Sequence, residues 1–168
     1  MFVMKSIQKL ILLLCVVFAV SACGYHNSAT EPNRVGEQFR EVAIAKVENP
    51  TLERWLEPKL RSMMRDEITR RGQLVWTDKS KAEALFNIRI LELSDGSRIL
   101  GDQDVTLKYD MTLKLQMKVT SATDGALIWN SGPLEVTESY YVGQEEETKQ
   151  LIIKLMVRRL VDRMNQAY

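Results

Sequence analysis

The stretch Val105-Thr106-Leu107-Lys108-Tyr109-Asp110-Met111-Thr112-Leu113-Lys114-Leu115-Gln116-Met117-Lys118-Val119 decides the fold. Every odd position is apolar and every even position is polar. A period of two sends alternate side chains to opposite faces of a pleated strand, so one face is buried and the other wet. A helix through the same residues would scatter the apolar groups around its whole surface. At ~3.3 Å per residue the strand reaches roughly 50 Å, past the usual length of about 3–10 residues. A β-bulge near Asp110 is one way to break it. Whatever surrounds this strand must cover its apolar face.

On its N-terminal side, Phe39 to Val47 alternates as well, with Val42 and Ile44 on one side, and the turn signal Asn49-Pro50 ends it. In Thr51 to Arg71, Leu56, Leu60, Met63, Met64 and Ile68 recur at helical spacing, and Gly72 follows Arg70-Arg71 as a C-cap. Pro58 is acceptable only in a first helical turn, so the helix is expected from Glu57, with Leu52–Leu56 as a separate turn. Leu74-Val75-Trp76 reads as a short strand, and Ala84 to Leu93 as a longer one with Phe86, Ile88 and Ile90 facing inward. Ser94 to Asp104, with two glycines and three aspartates, reads as a loop or hairpin end. On the C-terminal side, Thr123-Asp124-Gly125 is a hairpin turn. Leu127-Ile128-Trp129 begins the partner strand, which resumes at Leu134 to Val142, since Gly132-Pro133 implies an interruption or an edge. Glu145 to Tyr168 closes as a helix with the apolar stripe Leu151, Ile152, Leu155, Met156, Leu160, Val161 and Met164. The expected fold class is α+β: a two-layer sandwich in which a mixed, mostly antiparallel sheet carries two helices on one face, in the order β-α-β-β-β-α.

The chain has 168 residues, 45% hydrophobic and 27% charged, the size and balance of one globular domain. Its first residues carry an address. Lys5 and Lys9 precede the apolar run Leu10 to Val20 and the small residues Ser21-Ala22, the pattern of a secretory signal. That run covers ~16 Å of helix, short of the ~30 Å hydrocarbon thickness of a bilayer. Val20-Ser21-Ala22-Cys23 looks like a bacterial lipobox, in which cleavage leaves Cys23 at the new N-terminus to be lipid-modified, as with palmitate. Gly24 rather than Asp after that cysteine favours the outer membrane. The expected organisation is a signal peptide at residues 1–22, a lipidated tether at 23–38 and one α/β domain at 39–168. Losing Lys5 and Lys9 lowers Lys+Arg from 23 to 21 against 22 acidic residues, a net charge of −1. A near-neutral body offers no electrostatic footprint for nucleic acid.

Catalytic constellations are missing. There is no GxSxG, HExxH or Walker loop, and His26, the one histidine, lies in the tether. Cys15 and Cys23, the only cysteines, form neither a disulfide framework nor a metal site. Glu145-Glu146-Glu147 reads as a solvated helix start rather than a ligand set. No enzyme activity, metal or cofactor is expected. A binding or scaffolding role remains.

Several of these segments together resemble one family. Cys23-Gly24-Tyr25-His26, Val42-Ala43-Ile44 with Glu48-Asn49, the helix ending Arg70-Arg71-Gly72, Tyr109 on the long strand, Asp124-Gly125 before Trp129, and the last helix are similar to the lipopolysaccharide-assembly lipoproteins of the LptE family. The resemblance implies an outer-membrane lipoprotein of the Gram-negative envelope, held on the periplasmic side by lipid on Cys23. It would plug and help assemble the β-barrel translocon LptD and assist delivery of lipopolysaccharide to the outer leaflet. It also implies contact with lipopolysaccharide through basic residues. Here Gly101-Asp102-Gln103-Asp104 and Gln144-Glu145-Glu146-Glu147 are acidic where the family pattern is basic, which leaves Arg98, Lys108, Lys114 and Lys118 as the candidates. Lys108, Lys114 and Lys118 share the wet face of the long strand, either as a basic stripe or as an ordinary solvated surface. The loop tips Ser94–Asp104 and Ser121–Ala126 are candidates for barrel contact on exposure alone. A periplasmic lipoprotein that activates a cell-wall synthase or serves another secretion system is the alternative.

Overall fold

A computed structural model describes residues 38–100 and 106–166, with the side chains of 97–100, 106 and 107 excepted. The expected signal and most of the expected tether, with Cys23 and His26, lie outside the described residues. In order come β1 (Glu41–Glu48), α1 (Leu56–Arg71), β2 (Val75–Trp76), β3 (Ala84–Leu100), β4 (Thr106–Ser121), β5 (Leu127–Tyr140) and α2 (Glu145–Asn165). The sheet order is β2-β1-β3-β4-β5. β1 runs parallel to β2 and β3, while β3, β4 and β5 are successively antiparallel. Two helices cover one face, so the α+β sandwich is as the periodicity predicts.

The long strand keeps its alternation. Met111, Leu113, Leu115, Met117 and Val119 are at most 2% exposed, beneath the helices. Phe86, Ile88 and Ile90 of β3 and Val136 of β5 complete that inner face. The side chain of Leu107 lies outside the described residues. No break occurs at Asp110, where β4 pairs in register with both neighbours. Between Lys108 and Ser121 the irregularities fall on the partner strands instead. In β3 the register shifts between Ile90 and Glu92: Leu91 is the extra residue, 39% exposed, and the shift sets Glu92 on the outer face opposite Lys114.

The segment beginning at Ser94 is not a loop. β3 continues to Leu100, pairing Ser94 with Thr112, Asp95 with Met111 and Gly96 with Asp110. Polar residues and glycine weaken a strand locally, but the pre-formed partner β4 supplies a ladder that local propensity does not register. Asp102 and Asp104 lie outside the described residues. Nor is β5 interrupted at Gly132-Pro133. A bulge there keeps one strand, and β5 is an edge, where proline is tolerated.

α1 begins one residue before Glu57, with Pro58 in its first turn, and buries Leu56, Leu60, Met64 and Ile68. Gly72, at φ 68°, donates its N–H to the carbonyls of Ile68 and Thr69, the left-handed cap that a glycine adopts without steric cost. α2 buries Ile152, Met156, Leu160, Val161 and Met164 as expected, but also Ile153 and Val157. Leu151 is 42% exposed rather than part of the stripe. The reason is that α2 packs against two neighbours, the sheet and α1, which rotates the buried arc away from Leu151.

Candidate functional site

Among the described residues nothing packs over the second face of the sheet, and many of its side chains meet across strands. Thr112 and Thr137 share a hydrogen bond of 2.9 Å, and Gln116 donates to Asn130 at 2.8 Å. Ser139 donates to Asp110 at 2.5 Å. Lys114 stands between Glu92 at 3.2 Å and Glu135 at 3.3 Å, and these two carboxylates hold its ammonium pKa above the usual lysine value. Such exposed pairs add little stability each, because water screens them. Their effect is to balance charge across the face while keeping it hydrophilic.

One depression interrupts this surface, about 230 Å³, lined by Lys46, Glu48, Asn87, Arg89, Gln116 and Lys118. Glu48 accepts from Lys46 at 2.6 Å and lies 3.5 Å from Arg89, and the hydrogen bond and charge of Lys46 lower its carboxyl pKa. Lys118 is exposed and has no ion-pair partner among the described residues. Three cations therefore surround one carboxylate. The parallel register sets Lys46 beside Asn87 and Glu48 beside Arg89, and the antiparallel one sets Asn87 beside Lys118.

At the far end of the sheet the inner face turns polar. Tyr109 and Tyr140 stack with ring centroids 5.3 Å apart, and the Tyr140 hydroxyl donates to Asp95 at 2.5 Å. Burial, then that carboxylate, raises the phenol pKa well above its ordinary value. Trp55 donates to Glu53, and the Lys149 ammonium lies 5.6 Å from the Trp55 ring. Lys149 also bridges Glu145 at 2.5 Å and Glu146 at 2.8 Å, whose hydrogen bonds raise its pKa. Two of the three glutamates at the start of α2 thus hold a lysine. Among the described residues no His, Cys, Asp and Glu group is placed to hold a metal, and no helix is long and apolar enough to cross a membrane.

The family model for LptE, lipopolysaccharide-assembly, matches residues 39–167, nearly the whole folded body. The chain belongs to the LptE family. None of the curated proteins matches its sequence. Solved structures share this fold at low identity. Lipoprotein B from Nitrosomonas europaea aligns with TM-score 0.55 at 14% identity, over 74% of this chain and 81% of that one. A minor lipoprotein from Acinetobacter baumannii aligns with TM-score 0.51 at 12% identity, over 77% and 94%. Lipoprotein GNA1162 from Neisseria meningitidis aligns with TM-score 0.52 at 9% identity, over 76% and 99%.

Within this LptE-family body the four basic candidates separate. Lys114 and Lys118 do project from the open face of β4, but Lys114 is neutralised by two glutamates while Lys118 joins the depression. Lys108 lies 5.9 Å from the Tyr141 ring. Arg98 belongs to β3, and its side chain lies outside the described residues. No basic stripe along one strand results. The cations that gather with Lys118 are Lys46 and Arg89, which sequence reasoning missed because only the pairing of β1 with β3 and β3 with β4 brings them together.

Proposed function

We propose that this chain is an outer-membrane lipoprotein that plugs and helps assemble an LptD-type β-barrel translocon and assists delivery of lipopolysaccharide to the outer leaflet. Residues 1–22 are its signal peptide, Cys23 its acylated anchor and residues 23–38 the tether on the periplasmic side. The observation that carries this reading is the open sheet face of an LptE-family body, which is polar and has many of its side chains paired across strands. A water-filled barrel interior accepts such a surface without desolvating unpaired charge. The role is structural rather than enzymatic, in keeping with the family. Lipopolysaccharide phosphates are expected at Lys118 with Lys46 and Arg89, where cations outnumber carboxylates. Arg98 and Lys108 remain candidates at the hairpin end.

The test is affinity capture of the full-length protein from outer membranes in mild detergent. Recovery with a large barrel protein supports the reading. Recovery with a peptidoglycan synthase, or with no barrel, overturns it.

A further inference from the structure

We infer that the outer edge of β5, which no other strand pairs among the described residues, docks an extended acidic polypeptide segment that joins the sheet as an added strand. The partner that supplies it is the barrel, so this inference rests on the function proposed above.

The sheet has two edges of unequal kind. β2, at one end, is only two residues long, a short edge that offers little to a partner. β5, at the other, is 14 residues long. The direction of its backbone groups follows from four observations. The Met117 N–H donates to Ser131 Oγ at 2.9 Å, so odd-numbered residues of β4 aim their amides at β5. Leu115 pairs with Leu134 and Leu113 with Val136, so even-numbered residues of β5 face β4 and odd-numbered ones face outward. Pro133, which has no N–H to give, falls on an outward position. Arg159 of α2 donates to the Glu135 carbonyl at 2.5 Å, as an outward carbonyl requires. Thr137 presents its amide and carbonyl on the same edge.

Beside this edge runs a groove of about 620 Å³ between β5 and α2. Leu134, Val136 and Leu155 give it an apolar lining, while Arg158, Arg159 and Arg163 line it with charge. Its carboxylates are Glu138 and Asp162, and Asp162 already holds Arg71 at 2.6 Å. The groove is therefore cationic, and its complement is acidic. Strand addition takes affinity from main-chain hydrogen bonds and selectivity from pockets for alternate side chains. Here the Glu135 and Thr137 amides and the Thr137 carbonyl face outward, while Arg159 holds the Glu135 carbonyl and would exchange it for a carboxylate of the incoming segment. A lipid phosphate would use the arginines but not the outward amides.

The experiment measures hydrogen exchange at the Glu135 and Thr137 amides of the full-length lipoprotein, alone and in its barrel complex. Barrel retention is compared for wild type, Thr137→Pro and the Arg158→Glu/Arg163→Glu double variant. The inference predicts at least about tenfold slower exchange at both amides in the complex, and about tenfold weaker retention for each variant, the effect of removing one or two hydrogen bonds or charge pairs. Unchanged exchange in a barrel complex that still forms overturns strand addition and leaves the plug reading intact. So does weakening by the arginine reversals alone, which identifies the groove as a site for an anion without a strand. A wild-type protein that retains no barrel overturns the proposed function, and the docking with it.

Discussion

The two faces of β4 come from one stretch of chain and have opposite physical characters. Leu113 and Leu115 are fully buried beneath two helices, while Lys114 between them lies in water between two glutamates. Burial on the inner face is what holds the sheet to the helices. The outer face contributes hydrogen-bonded and ionic rows worth little each. Stability and surface chemistry are thus assigned to alternate residues, and a substitution on one face should leave the other nearly untouched.

The largest expected effect is on the inner face. Leu115→Ala should cost about 2–5 kcal/mol in urea unfolding, because the helices cannot collapse fully onto the cavity. A cost near zero would break the comparison. Next comes the polar clamp at the helix pair, where Arg71, 8% exposed, bridges Glu67 at 2.8 Å on its own helix and Asp162 on α2. Removing one partner of a buried pair leaves the other uncompensated, so Arg71→Ala should cost about 3 kcal/mol. Burial pushes the Glu67 carboxyl up, but hydrogen bonds from Arg70 and Arg71 outweigh it and leave the pKa below 4.5. Its contribution is therefore complete above pH 4.5 and is lost as the pH falls through the lowered value. Glu67→Gln should flatten the acid limb of stability against pH. In the β4–β5 turn, Gly125→Ala should cost about 1 kcal/mol, because φ is 72° there. The smallest effect belongs to the outer face: Lys114→Ala should change stability by less than about 1 kcal/mol. A larger loss would mean that the exposed pairs contribute more than solvent screening permits.

Most of the fold was legible because the pattern that specifies it is local. Alternation in β4, helical spacing from Leu56 to Ile68 and the turn at Asp124-Gly125 each declare themselves within a few residues. What escaped depends on distant partners. Ser94, Asp95 and Gly96 are strand residues only because β4 is there to pair with them. Leu151 is exposed because α2 has two packing partners, which helical periodicity alone does not reveal. The site was less legible for the same reason. Lys118 was readable as outward-facing, but its neighbours Lys46 and Arg89 come from other strands, as do the glutamates that neutralise Lys114. Register, not composition, decides which charges remain available.

Cysteine scanning along β4 tests the account most directly. Single cysteines at positions 111 to 118 would be labelled with a water-soluble maleimide in the folded protein. The account predicts rapid labelling at 112, 114, 116 and 118, and none at 111, 113, 115 and 117 until denaturant unfolds the chain. Labelling at odd positions in the folded state, or a helical period of three to four, would contradict it.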